Sequence, residues 1–223
     1  EEGGDFVAVD RLFRDFGMPM GPFTLLDEIG IDVAREVGRV LYKAYGSRME
    51  ASPVIEALAG RADLLGKKTG KGFYLHRKGK RTPNPEIRGL IAAAVKGRPR
   101  GNAGAPGGRG GAPGGRGGAP GGRGGARDPK GELTDRPLLA MVNEAARALQ
   151  EGIVATAQEA DLALIMGTGF PPFRGGLLRW ADSRGVRAIH DTLIDLARRH
   201  GVRFTPAPLL ATLASEGRGF YSD

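Results

Sequence analysis

Cysteine is absent from this 223-residue chain, so it has no disulfide framework, no thiolate metal ligand and no thiol nucleophile. No apolar run approaches the roughly 20 residues that a membrane helix needs. Only three histidines occur, His76, His190 and His200, and their scatter fits no ligand spacing, so neither a metal site nor a catalytic base is expected of them. No strand leads into a G-x-G-x-x-G turn, which excludes a phosphate cradle for a dinucleotide. The opening Glu1-Glu2-Gly3-Gly4-Asp5 is acidic, lacks the apolar core of a signal peptide and has no initiator Met. The chain is therefore expected to start inside a longer, cytoplasmic protein.

Charge is abundant but local. The net charge is +8 and the pI about 10.1, values that by themselves suggest a nucleic-acid binder. Residues 96–131 hold eight basic side chains (Lys96, Arg98, Arg100, Arg109, Arg116, Arg123, Arg127 and Lys130) against Asp128, so +7 lies there and +1 in the rest. This stretch repeats Gly-Ala-Pro-Gly-Gly-Arg-Gly from Gly104, Gly111 and Gly118, and 101–128 contains no Val, Ile, Leu, Met or aromatic. A segment with nothing to bury cannot offset the entropy of ordering it, so it reads as a disordered Gly/Pro/Arg linker. An Arg-Gly RNA tether is the alternative. It lacks the aromatics on which bases stack, which argues against nucleic acid as a partner.

The two flanks resemble each other. Gly17-Met18-Pro19-Met20-Gly21-Pro22-Phe23, then Leu25-Leu26-Asp27, closes with Gly70-Lys71-Gly72-Phe73-Tyr74. Gly169-Phe170-Pro171-Pro172-Phe173-Arg174-Gly175-Gly176, then Leu177-Leu178 and Asp182, closes with Gly217-Arg218-Gly219-Phe220-Tyr221. The span from Pro19 to Tyr74 is 55 residues and that from Pro171 to Tyr221 is 50, as expected of a duplicated unit. Both read as helical. Val33, Val37, Val40 and Leu41 form one amphipathic stripe; Ile189, Leu193, Leu196 and Ala197 form its counterpart. A further helix is expected from Asp135 as N-cap, through Pro137, with Leu138, Met141, Val142, Ala145 and Leu149 on one face. Ser52-Pro53 starts a short helix carrying Val54, Ile55 and Leu58. No alternating strand stands out, and the fold class expected is all-α. The first unit has little text to match the second unit's long opening helix, so that helix is expected to be truncated.

Phe16–Phe23 with Gly66–Tyr74 resembles the C-terminal domain of 3-hydroxyacyl-CoA dehydrogenases. Met141-Val142-Asn143-Glu144-Ala145 through Gly176 looks like a second copy. Tandem copies are the arrangement of the multifunctional enoyl-CoA hydratase/3-hydroxyacyl-CoA dehydrogenases of fatty-acid beta-oxidation. The resemblance implies a duplicated helical domain like the C-terminal domain of 6-phosphogluconate dehydrogenase. It divides the chain into 1–95, a linker 96–131, and 132–223. It implies oxidation of a CoA thioester substrate with NAD, the NAD being held by an upstream Rossmann domain, and an upstream hydratase region. A homodimer and a thiolase partner subunit are further implications. The family's helical Asn belongs in an Asn-Arg pair at the opening of a unit. In this chain that position reads Asp135-Arg136, and Asn143 lies eight residues beyond it, so no catalytic residue is carried over and this piece alone is expected to be inactive.

The candidate substrate-binding residues are Met18, Pro19, Met20, Gly21, Pro22 and Phe23, as lining of an acyl channel, and Lys68, beside Lys67 and Lys71, as partner of a CoA phosphate. A rigid interhelical turn and a solvated basic turn are the respective alternatives. Phe170, Pro171, Pro172, Phe173 and Arg174 form the paired loop, either packing the two units together or facing substrate. A dimerising module that touches no ligand remains a second functional reading.

Overall fold

The computed structural model describes residues 5–96 and 129–221, with side chains of the second stretch from 133 onward. The linker expected over 96–131 falls almost wholly outside the described residues. Ten α-helices and one two-stranded hairpin are present among them.

The first half runs α1 (Phe6–Phe16), α2 (Pro22–Ile29), α3 (Ile31–Tyr45) and α4 (Pro53–Ala59), then the hairpin β1 (Tyr74–Arg77) and β2 (Lys80–Pro83), then α5 (Glu86–Val95). The second half runs α6 (Pro129–Gln150), α7 (Ala157–Thr168), α8 (Leu177–Arg184), α9 (Val186–His200) and α10 (Pro208–Glu216). The repeat seen in the sequence is a structural one. α1 and α7 each end on a left-handed glycine, Gly17 and Gly169. α3 and α9 are each 15 residues long and each follows a positive-φ glycine, Gly30 and Gly185. α4 and α10 each start on a proline at the first turn, where its missing N–H costs nothing.

Two cores form. One gathers Phe6, Ile31, Val54, Leu58, Leu64, Phe73 and Ile87. The other gathers Leu138, Val142, Phe170, Leu177, Trp180, Leu193 and Leu210, among others. α1 serves both, because Phe6 enters the first core while Phe13 enters the second. The halves are thereby fused rather than strung together.

Three local expectations change. Asp135 does not cap a helix: α6 begins upstream and runs through Asp135 and Pro137, leaving no free N–H group there to cap. Asp135 instead accepts a bidentate pair from Arg184 at 2.7 and 2.9 Å. The hairpin β1–β2 is an addition to the helical reading, turning through Lys78 (φ 47°) and Gly79 (φ 75°), the left-handed pair that suits a two-residue turn. The Val33-Val37-Val40 stripe is helical as expected but faces outward; Ile31 is the buried residue of α3.

Candidate functional site: the paired Gly/Pro loops and their aspartate clamps

α2 and α8 are each preceded by a glycine at the capping position, Gly21 and Gly176, and so have no side-chain cap of their own. Their free N–H groups are satisfied from the preceding helix. Asp10 on α1 accepts from the Phe23 and Thr24 backbone N–H groups at 2.8 and 3.0 Å, and from the Thr24 hydroxyl at 2.6 Å. Asp161 on α7 accepts from the Leu178 and Arg179 N–H groups at 2.7 and 3.0 Å. Each carboxylate thus combines a hydrogen-bonding cap with a charge at a positive helix end. The glycines are required sterically: a Cβ on Gly21 would fall on Asp10, and one on Gly176 on Asp161.

The closing motif is tied in by the same chemistry. Asp27, fully buried at the end of α2, accepts from the Phe73 and Tyr74 N–H groups at 2.8 Å each and lies 2.9 Å from His76 Nε2. Asp182 does the same for Phe220 and Tyr221 at 2.8 and 3.0 Å. The tyrosines complete the circuit, Tyr74 donating its hydroxyl to Asp10 at 2.8 Å and Tyr221 donating to Asp161 at 2.7 Å. Burial first, and then the neighbouring carboxylate, push both phenols above the ordinary tyrosine value. Their protons are therefore held more tightly in the folded chain, and the associated stability is lost as pH rises past about 10, the unfolded phenol value. Tyr74→Phe with Tyr221→Phe is expected to cost about 1–2 kcal/mol per site and to flatten that alkaline loss, read by urea unfolding at pH 7 and pH 10.5.

The clamps fix the two Gly/Pro loops, and the loops meet each other. Pro19 packs against Gly169, and Phe173 and Pro171 against Gly17. Arg174 donates from Nε to the Phe16 carbonyl at 3.0 Å and lies over the Phe16 ring at 3.9 Å. Phe16 also meets Phe170 and Trp180 edge-on at 5.7 Å. Elsewhere Arg48 joins the first half to α6 through Glu144 and Glu151. Of the candidate residues, Phe23 packs against the Phe6 and Phe73 rings in the first core, Met18 packs on the second core, Met20 is partly buried, and Pro19 is exposed beside its contact with Gly169. Phe170 and Pro171 are buried, whereas Phe173 is exposed. Lys68 pairs with Asp32 at 2.6 Å, holding that carboxyl below its usual range. Asn143 is a structural clamp, donating to the Thr205 carbonyl and accepting from the Ala207 N–H.

Asp10, Asp161 and the roles of Asp27 and Asp182 escaped the sequence reading. The available signal was that both repeats carry an aspartate six residues after their helix-opening glycine, with another 11 residues before it in the first repeat and 15 before it in the second.

A family model for the 3-hydroxyacyl-CoA dehydrogenase C-terminal domain matches residues 1–76 and again 131–220. The chain belongs to this family. Two curated relatives are fatty acid oxidation complex alpha subunits. The one from Idiomarina loihiensis is 38% identical over 98% of the chain, and the one from Shewanella amazonensis 34% over 99%. The chain spans 27% of the length of each. Among solved structures, 3-hydroxybutyryl-CoA dehydrogenase from Escherichia coli shares the fold. Its TM-score is 0.67 at 20% identity, covering 97% of this chain and 56% of that one. The dehydrogenase part of multifunctional enzyme 1 from C. elegans gives 0.58 at 22% identity, with 92% and 41% covered. The two stretches matched by the family model thus meet through their Gly/Pro loops. No helix among the described residues is long and apolar enough to cross a membrane.

Proposed function

We infer that this chain is the substrate-covering and assembly region of an NAD-dependent L-3-hydroxyacyl-CoA dehydrogenase of fatty-acid beta-oxidation, within a longer cytoplasmic protein that also carries a hydratase region. The observation that supports it most is the double family match on two units locked loop to loop. The units proposed are 1–95 and 132–223, joined by 96–131. A homodimer and a thiolase subunit are the partners proposed for the longer protein.

The described residues do not fit a dinucleotide. Their two strands form an antiparallel hairpin, and a βαβ crossover with a glycine turn is absent among them. NAD is accordingly assigned to an upstream Rossmann domain. The proposed contribution of this chain is to cover the CoA thioester with Met18–Phe23 and to meet a CoA phosphate with Lys68.

A second reading, assembly without ligand, is favoured by Phe23 stacking in the core and Pro19 packing on Gly169. Thermal melting of the chain with and without saturating 3-ketoacyl-CoA separates the two. The first reading predicts an upward shift in Tm that Lys68→Ala reduces. An unchanged Tm leaves the assembly role.

A further inference from the structure

The cations around the first unit's closing motif fall into two groups. Residues 64–85 contain seven Lys and Arg and neither Asp nor Glu. Three of the seven are answered from elsewhere in the fold: Lys67 by Glu28, Lys68 by Asp32 and Lys71 by Asp63. The other four, Arg77, Lys78, Lys80 and Arg81, crowd the exposed end of the β1–β2 hairpin, and among the described residues no carboxylate pairs with any of them. Arg77 stands directly opposite Lys80 in the register, and Lys78 holds the left-handed corner between them. Like charges set across a strand pair destabilise it. Guarding strand edges asks for charge of either sign and does not ask for that arrangement. A bound polyanion removes the repulsion.

The base of the hairpin selects the polyanion. Arg81 lies over the Tyr74 ring at 5.0 Å, and Tyr74 donates to Asp10, the residue that caps α2 at Phe23. Tyr74 thus sits at the foot of the Met18–Phe23 loop. Arg77 lies three residues further along β1, about 10 Å of extended chain. We propose that the hairpin cations Arg77, Lys78, Lys80 and Arg81 hold the phosphates at the nucleotide end of a CoA thioester whose acyl end lies under Met18–Phe23. An extended pantetheine arm is long enough to bridge the two. The side chains suit the 3′-phosphate and the diphosphate, since each offers several N–H donors and a guanidinium pairs with phosphate oxygens in a fork. The tip is open to solvent, so salt screens the attraction and each contact is modest. Lys68, already neutralised by Asp32, is the secondary contact. This site rests on the substrate-covering reading and extends it to four residues outside the Gly/Pro motif.

Isothermal titration calorimetry of the 223-residue chain at low salt tests it. The probes are acetoacetyl-CoA and adenosine 3′,5′-bisphosphate, which carries nucleotide phosphates but neither pantetheine nor acyl group. Both are expected to bind, acetoacetyl-CoA the more tightly. Arg77→Ser/Lys80→Ser is expected to weaken both about tenfold without lowering the circular dichroism melt. Arg77→Lys/Lys80→Arg keeps both charges and is expected to bind as the parent chain does. Arg187→Ser/Arg198→Ser removes the same charge from exposed positions on α9 and is expected to leave both affinities unchanged. Acetoacetyl-CoA binding that is indifferent to Arg77→Ser/Lys80→Ser overturns the hairpin site and leaves the covering reading standing. Equal weakening by the hairpin and α9 variants also overturns it, since net charge alone then accounts for the binding. Bisphosphate binding that is lost with the hairpin variant, with no gain for acetoacetyl-CoA over it, keeps the hairpin site and overturns covering by the loop. No binding of either probe overturns both.

Discussion

Asp27→Ala is expected to lower the stability of the first unit by about 3–5 kcal/mol. The carboxylate is fully buried and receives three partners: the Phe73 and Tyr74 N–H groups and the His76 ring. Truncation leaves two buried backbone donors without an acceptor, in a place where water does not reach. It also releases the Gly70–Tyr74 segment from α2, which loosens Phe73 and with it the stack on Phe23. Asp27→Asn keeps an acceptor oxygen and the shape, so a smaller loss is expected. The counterpart Asp182→Ala is a built-in comparison. Asp182 makes two of the same bonds but is only partly buried, so solvent replaces part of what is lost and about 1–2 kcal/mol is expected. Urea unfolding followed by near-ultraviolet and far-ultraviolet circular dichroism measures both. Equal losses at the two positions would show that burial does not set the strength of these clamps.

Gly176→Ala is expected to be the most damaging single-methyl change in the second unit, at about 3 kcal/mol or more. Two costs coincide there. The backbone sits at φ +115°, which a side chain adopts only with strain. The new Cβ would also fall on the Asp161 carboxylate that caps α8, pushing away the acceptor of the Leu178 and Arg179 N–H groups. Gly185→Ala isolates the first cost, since Gly185 has φ +87° but nothing within 4 Å of a built Cβ. About 1–2 kcal/mol is expected at that position. The difference between the two variants, read from Tm and urea midpoints, is the cost of displacing the carboxylate.

Helical periodicity in the sequence concerns neighbours along the chain, and the structure agrees with it. α9 buries Ile189, Leu193 and Leu196 as its stripe suggests. The Gly/Pro loops and the Gly-x-Gly-Phe-Tyr closures are visible as text because close backbone approach demands glycine. What joins them is not visible, since Asp10 and Tyr74 lie 64 residues apart and Asp161 and Tyr221 lie 60 apart. The usual search for a helix cap looks one residue before the helix, where Gly21 and Gly176 stand with no side chain to offer. The cap comes from another helix. The outward turn of Val33, Val37 and Val40 is hidden for a related reason. Hydrophobic spacing specifies a face but not its partner, and in α3 the core is met by Ile31. Asp135 has the residue type and the following proline of an opening cap, but α6 has already begun upstream of it.

The substrate-covering role reduces to one assay: NADH absorbance with NAD and an L-3-hydroxyacyl-CoA. It is run on the longer protein, on that protein lacking this region, and on the 223-residue chain alone. The longer protein is expected to turn over, the deletion to lose nearly all activity, and the isolated chain to produce no NADH. Turnover that survives the deletion, or NADH produced by the isolated chain, would contradict the role assigned to these two units.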